Sequence, residues 1–188
     1  MTSTHRARHL GRRFVGALRP GPPRAADVAW AQAALTPEEY ALWARMPAHD
    51  RRHSIGVARR VDQALMETEY AGDSRWLAAA LLHDVGKLDA GLGVFGRVGA
   101  TLAGGAAGHD MAEVWSAKRG ITRRVGLYLR HPELGATRIR TAGGREEVAH
   151  WAATHHDVFD DVLAEESGAA ALSLPGAVVI ALRDADDD

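Results

Sequence analysis

Histidine and aspartate carry most of the chemistry this chain can do. It has ten histidines and no cysteine. Without cysteine, disulfides, zinc ribbons, iron–sulfur clusters and cysteine nucleophiles are excluded, so a bound metal must rest on His, Asp, Glu or backbone oxygen. Four His-Asp dipeptides occur: His49-Asp50, His83-Asp84, His109-Asp110 and His156-Asp157. The dipeptide is common enough here that context must separate them. Asp50 and Asp110 stand where helix N-caps are expected, with their histidines just outside. His83-Asp84 instead closes the run Trp76-Leu77-Ala78-Ala79-Ala80-Leu81-Leu82, the most apolar helix in the chain, and leads into Val85-Gly86-Lys87. An imidazole and a carboxylate at the end of a buried helix are costly to desolvate without a partner. A metal ion is one such partner; hydrogen-bonded neighbours are the other.

The elements that must position these groups read as helices. Thr36-Pro37-Glu38-Glu39 is a capping box with proline at the first helical position. Asp50 is expected to cap a helix to about Thr68, with His53, Val57, Val61 and Leu65 on one stripe. Asp73 or Ser74 caps the helix that ends at His83-Asp84. Asp110 with Glu113 starts another, and Thr122 caps one through Leu129. Pro132 breaks that helix and Glu133 restarts one. Arg145 to Thr154 reads as helix, and Pro175-Gly176 precedes a final apolar helix, Ala177 to about Asp186. No stretch alternates with period two over strand length, so the fold class is all-α, a single helical bundle. Residues 1–23 form a basic, Pro-rich N-terminal arm, and 24–188 form the helical domain. Residues 91–108, with seven glycines, resist a helical reading; they suit a mobile flap, a tight helix pair or an oligomer contact.

Bulk properties narrow the partners. A chain of 188 residues suits one domain with a real core. The formal net charge of -1 gives no global attraction to nucleic acid or anionic lipid. No clear nucleic-acid or membrane partner is expected, and a homo-oligomer is open. No segment reaches the roughly 18 apolar residues of a spanning helix. The basic N-terminus has no apolar run behind it, so a cytoplasmic location is the default expectation.

Leu82-His83-Asp84-Val85-Gly86-Lys87 resembles the signature of the HD-domain metal-dependent phosphohydrolases. Arg52-His53-Ser54-Ile55-Gly56-Val57-Ala58 resembles that family's early-histidine helix. Ala181-Leu182-Arg183-Asp184-Ala185-Asp186 resembles its late-aspartate helix, with Asp186 favoured and Asp184 and Asp187 as rivals. His131-Pro132-Glu133-Leu134-Gly135 and Thr154-His155-His156-Asp157 are similar to segments of the two-metal members. The resemblance implies an HD-domain bundle and one or two divalent transition-metal ions (Mn, Fe, Co, Ni or Zn). It assigns His53, His83, Asp84 and Asp186 to a first ion, and His131, His155 and His156 to a second. Asp84 and Lys87 are then the candidate catalytic pair, Lys87 neutralising phosphate or a carboxylate ligand. Arg52, Arg130 and Arg138 are candidate phosphate donors. His49, four residues before His53, would share its helix face, although a pre-helix surface position fits it as well.

A bound divalent ion lowers the pKa of its water from 15.7 to roughly 7, so the expected activity is hydrolysis of a nucleotide or other small phosphoester. Val158-Phe159-Asp160-Asp161 follows His156-Asp157 where the cyclic-dinucleotide-cleaving subgroup has Gly-Tyr-Pro, which speaks against that substrate. Two alternatives share the ligand set: a di-iron oxygenase of the HD type, and a non-catalytic signalling or interaction module.

Overall fold

A computed structural model of the chain describes residues 21–93, 96–101, 110–156 and 174–187. Among these residues the structure is helical and contains no strand. The elements are α1 (Ala25–Ala34), α2 (Pro37–Ala44), α3 (Ala48–Leu65), α4 (Ser74–Leu82), a 3-10 helix (Val85–Leu88), α5 (Asp110–Ser116), α6 (Gly120–Leu129), α7 (His131–Thr141), α8 (Glu146–Thr154) and α9 (Gly176–Asp187). No helix here is long and apolar enough to cross a membrane. Residues 1–20 of the N-terminal arm lie outside the described residues, as do His109 and Val158–Asp161.

The core is built around α4. A helix that is apolar on all sides must be buried on all sides, and Trp76 and Ala78 to Leu82 are each at most 2% exposed. α4 packs against α1, α2, α3, α8 and α9. Asp73 caps it, its carboxylate accepting from Arg75 N at 2.9 Å. The small side chains Ala78, Ala79 and Ala80 allow neighbours on several faces to approach closely. Its C-terminus therefore delivers His83-Asp84 into the middle of the bundle rather than to the surface.

The capping box at Thr36 forms as read: Thr36 Oγ1 accepts from Glu39 N at 3.2 Å, and Glu39 Oε2 accepts from Thr36 N at 3.0 Å. Glu39 also does something the motif does not announce. It is fully buried and accepts from Arg145 Nε at 3.0 Å and Arg145 Nη2 at 2.6 Å. Arg145 is the N-cap residue of α8, so one carboxylate ties α2 to the helix that ends at His155-His156. The Arg145 guanidinium and two backbone N–H groups hold the Glu39 pKa below its usual value although burial alone would raise it.

Several boundaries differ from the sequence expectations. α1 carries no side-chain cap and was not anticipated. Asp50 does not cap α3; the helix begins at Ala48 after Pro47 and ends at Leu65, and Asp50 is turned inward to a two-pronged pair with Arg97 at 2.6 and 2.8 Å. Thr122 does not cap α6, which starts at Gly120 and has no side-chain cap. Pro132 sits at the start of α7, which begins at His131, where a missing N–H costs nothing. Within the glycine-rich segment, residues 96–101 are helical. Packing supplies what propensity lacks there: Ala90, Leu92 and Ala100 are buried against Val125, Leu127 and Tyr128 of α6.

Candidate metal centre

Five helix ends or helix faces converge on one cluster. His53 projects from α3, His83 and Asp84 from the α4 terminus, His131 from the first residue of α7, His155 and His156 from the end of α8, and Asp186 from the last turn of α9. One ligand atom each from His53, His83 and Asp84 lies within 4.8 Å of the other two, and the same holds for His131, His155 and His156. Asp84 stands between the two groups. Its Oδ2 is 3.4 Å from His83 Nε2, while its Oδ1 is 3.4 Å from His131 Nε2 and 3.8 Å from His155 Nε2. Asp186 joins the first group, with Oδ1 accepting from His53 Nε2–H at 3.1 Å and lying 3.5 Å from His83 Nε2.

The ring orientations have a common cause. His83 Nδ1–H donates to Ala80 O at 2.8 Å, His131 Nδ1–H to Tyr128 O at 2.7 Å, and His155 Nδ1–H to Ala152 O at 3.0 Å. Each acceptor is the carbonyl three residues earlier. This orients the rings and aims each Nε2 at the centre, the arrangement that metal-ligating histidines need from their surroundings. The Nε2 atoms of His83 and His155 are buried and make no hydrogen bond. The Nε2 lone pairs of His131 and His155 thus face Asp84 Oδ1 at 3.4 and 3.8 Å. Acceptors facing acceptors repel, and a cation between them reverses the sign. The residues present fit a metal ion on this ground.

Electrostatics agree. Burial alone would lower the His83 pKa, but Asp84 and Asp186 outweigh it and raise it to about 10, so the two carboxylates favour positive charge in this pocket. Burial pushes the Asp84 carboxyl up, and Lys87 and His83 more than reverse this, holding it well below the usual carboxylate range. Lys87 Nζ is 2.5 Å from Asp84 Oδ2. On the other side, burial, followed by the neighbouring His156 and His83, drives the His155 pKa down. Loss of hydration, then His131, pushes His156 down to about 4. These rings are neutral at pH 7 and offer lone pairs. His83, Asp84 and His131 are at most 4% exposed, whereas His53, Asp186 and His156 retain contact with solvent. The cluster has a buried floor and an open rim.

Close backbone approach holds the two halves together. A Cβ on Gly86 would lie 1.9 Å from His131 O and 2.6 Å from Gly135 N. Only glycine lets the 3-10 helix seat directly on the start of α7, which sets His131 beside Asp84. Arg60, two turns beyond His53 on α3, donates from Nε at 2.9 Å and Nη2 at 2.7 Å to Ala185 O, anchoring the backbone next to Asp186. Neither Gly86 nor Arg60 was singled out from sequence. Gly86 was visible as part of the motif, and Arg60 carried no signal.

All seven residues expected to ligate metal are brought into the cluster. Asp184 is exposed and lines a surface groove with Arg60, Ala64 and Ile180 instead, and Asp187 is exposed at the end of α9. His49 lies outside both histidine groups, with Nε2 3.3 Å from Asp50 Oδ1. The arginines expected as phosphate donors are engaged elsewhere: Arg52 with Gly21 O, Arg130 with Glu133 at 2.9 Å, and Arg138 with Asp89. Comparison of the chain with protein-family profiles, curated proteins and solved structures finds no match. The site is therefore read from its own geometry.

Proposed function

We propose that this chain is a metal-dependent phosphohydrolase of the HD type, acting on a nucleotide or other small phosphoester. The observation that carries this reading is the two-sided seating of Asp84, one oxygen toward His83 and the other toward His131 and His155. A carboxylate facing two separate donor groups suits a pair of ions sharing one bridging ligand. His53, His83, Asp84 and Asp186 would hold the first ion, and Asp84, His131, His155 and His156 the second. The mix of imidazole nitrogen and carboxylate oxygen suits Mn, Fe, Co, Ni or Zn.

Ions held there would supply Lewis acidity at a phosphate oxygen and a water whose pKa is lowered to roughly 7. The protein's own contributions are definite. Backbone carbonyls orient three imidazoles with Nε2 toward the centre. Lys87 keeps Asp84 ionised, and its ammonium, 2.5 Å from Asp84 Oδ2, would offer positive charge to an incoming phosphate. Two carboxylates among five histidines leave a metal-loaded site positive, which favours an anionic substrate. The rim at His53, Asp186 and His156 gives that substrate its entry.

The test is metal content per chain, paired with a screen of phosphoesters in the presence of Mn or Ni. Asp84→Ala should lose both ions and all phosphate release, and His53→Ala should lose metal from one side. Unchanged metal content in both variants would remove the assignment. Oxygen uptake by iron-loaded protein without phosphate release would move the site to oxygenase chemistry.

A further inference from the structure

The last turn of α9 is poorly made to hold its shape alone. Asp184, Asp186 and Asp187 place three carboxylates there, at the end of a helix where the macrodipole is already negative. No basic residue of that turn offsets them. The carbonyls of the turn have no helical N–H left to accept from, and helix ends of this kind fray. Yet this turn carries Asp186, whose Oδ1 lies 3.1 Å from His53 Nε2 and 3.5 Å from His83 Nε2.

α3 supplies what the turn lacks. Arg60 stands two turns after His53 on the same side of α3. Its Nε–H and Nη2–H both donate to Ala185 O, at 2.9 and 2.7 Å. Ala185 is only 4% exposed, so water is a poor substitute for the guanidinium. One side chain thereby satisfies a carbonyl that the helix cannot, opposes the negative end of the dipole, and fixes the backbone one residue before Asp186. Its neighbour Arg59 turns to α1 instead, pairing with Asp27 at 3.0 Å and lying 4.4 Å from the centre of the Trp30 ring.

We infer that Arg60 is a positioning residue for the first ion: held on Ala185 O, it keeps Asp186 facing the ion that His53, His83 and Asp84 would share, and metal affinity depends on it. The role rests on the proposed metal reading of the cluster. Its sign separates it from simple electrostatics. Arg60 brings positive charge toward a site for cations, so through-space repulsion alone would make its removal tighten the ion. Loss of positioning weakens the ion instead, and removing a residue that orients a ligand costs about 10–100-fold in metal affinity.

The experiment is titration of the full, metal-free chain with Mn or Ni against a competing chelator, in a cycle of Arg60→Gln, Asp186→Ala and the double variant. Glutamine has a helix propensity close to that of arginine, so α3 persists. Arg60→Gln should bind metal about 10–100-fold more weakly with unchanged circular dichroism, and the amides of Ala185 and Asp186 should exchange faster in the metal-free chain. In the Asp186→Ala background the same change should add nothing, because the group it steers is gone. Arg60→Lys, which keeps a charged donor, should show a smaller loss with the same dependence on Asp186, and serves if Arg60→Gln does not fold. Arg59→Gln should bind as the parent does. Unchanged or tighter binding by Arg60→Gln overturns the role. An equal loss with and without Asp186, or an equal loss in Arg59→Gln, also overturns it. A parent that binds neither metal removes the metal reading and this role with it, whereas a binding parent matched by Arg60→Gln removes this role alone.

Discussion

Replacing Gly86 with alanine separates the geometry of the metal centre from the identity of its ligands. The added methyl would lie 1.9 Å from His131 O, 2.6 Å from Gly135 N and 2.8 Å from His131 C, all backbone atoms with no rotamer to escape into. To reach even 3.0 Å, the start of α7 must retreat from the 3-10 helix by at least 1.1 Å. His131 Nε2 and Asp84 Oδ1, 3.4 Å apart, move with those two backbones, while metal–ligand distances tolerate about 0.2 Å. Overpacking of this kind costs about 1–3 kcal/mol, which in a chain of this size lowers Tm by roughly 2–4 °C per kcal/mol. Gly86→Ala should therefore melt roughly 2–12 °C lower and hold less metal than the parent without losing all of it, because His53, His83 and Asp186 are not attached to the displaced segment. Elemental analysis of gel-filtered protein and scanning calorimetry read the two effects. Gly144→Ala is the control: its methyl would lie 2.7 Å from Ile139 Cγ2, so it should lower Tm and leave metal content intact. Full metal content at an unchanged Tm in Gly86→Ala would refute the argument that this approach sets the distance between the two halves.

Asp186→Ala should lower metal content and activity at least tenfold, whereas Asp184→Ala, whose carboxylate lines the groove beside Arg60, should behave as the parent; a reversed pattern in metal titrations would exchange their roles. Glu39→Ala should destabilise by about 3–5 kcal/mol, because Arg145 loses its buried partner, and a loss under 1 kcal/mol by urea unfolding would show that water replaces the carboxylate. In metal-free protein His83 is raised from 6.5 to about 10, so its stabilisation is full below pH 6.5 and lost as pH climbs toward 10. His156 is lowered from 6.5 to about 4, so its stabilisation is present above pH 6.5 and lost as pH falls toward 4. Urea midpoints of chelated protein should peak near pH 6.5, and added Mn or Ni should flatten the alkaline limb, because a cation then stands in for the His83 proton. A midpoint rising steadily from pH 4 to pH 10 would contradict the His83 shift, and one that does not fall between pH 6.5 and pH 4 would contradict the His156 shift.

Sequence reading went furthest where local chemistry and tertiary role coincide. The capping box at Thr36 and the all-apolar α4 follow from short windows, and both appear as read. The residues of the cluster were legible because they sit in recognisable segments in a fixed order, and Asp186 was preferred over Asp184 because it follows the small residue Ala185. What stayed hidden depends on contacts between distant segments. Asp50 looks like a cap from its neighbours, yet Arg97, 47 residues away, claims it. Residues 96–101 are helical with Ala100 buried against α6, a contact that glycine propensities cannot register. The partners of the arginines expected as phosphate donors stayed hidden for a related reason: adjacency in sequence to a site segment does not say which carboxylate lies across the fold, and Asp89 takes Arg138.

The histidines of the centre are steered by carbonyls of Ala80, Tyr128 and Ala152 rather than by aspartates or glutamates. A main-chain oxygen is present whatever amino acid occupies the position, so drift at residues 80, 128 and 152 leaves the steering intact as long as the helices persist. The aim of these rings is thereby tied to the melting of helix ends: local fraying at 80–83 or 152–155 would release the imidazole and the ligand together. Metal affinity in this protein should track the exchange protection of those terminal turns more closely than the identity of any outer residue.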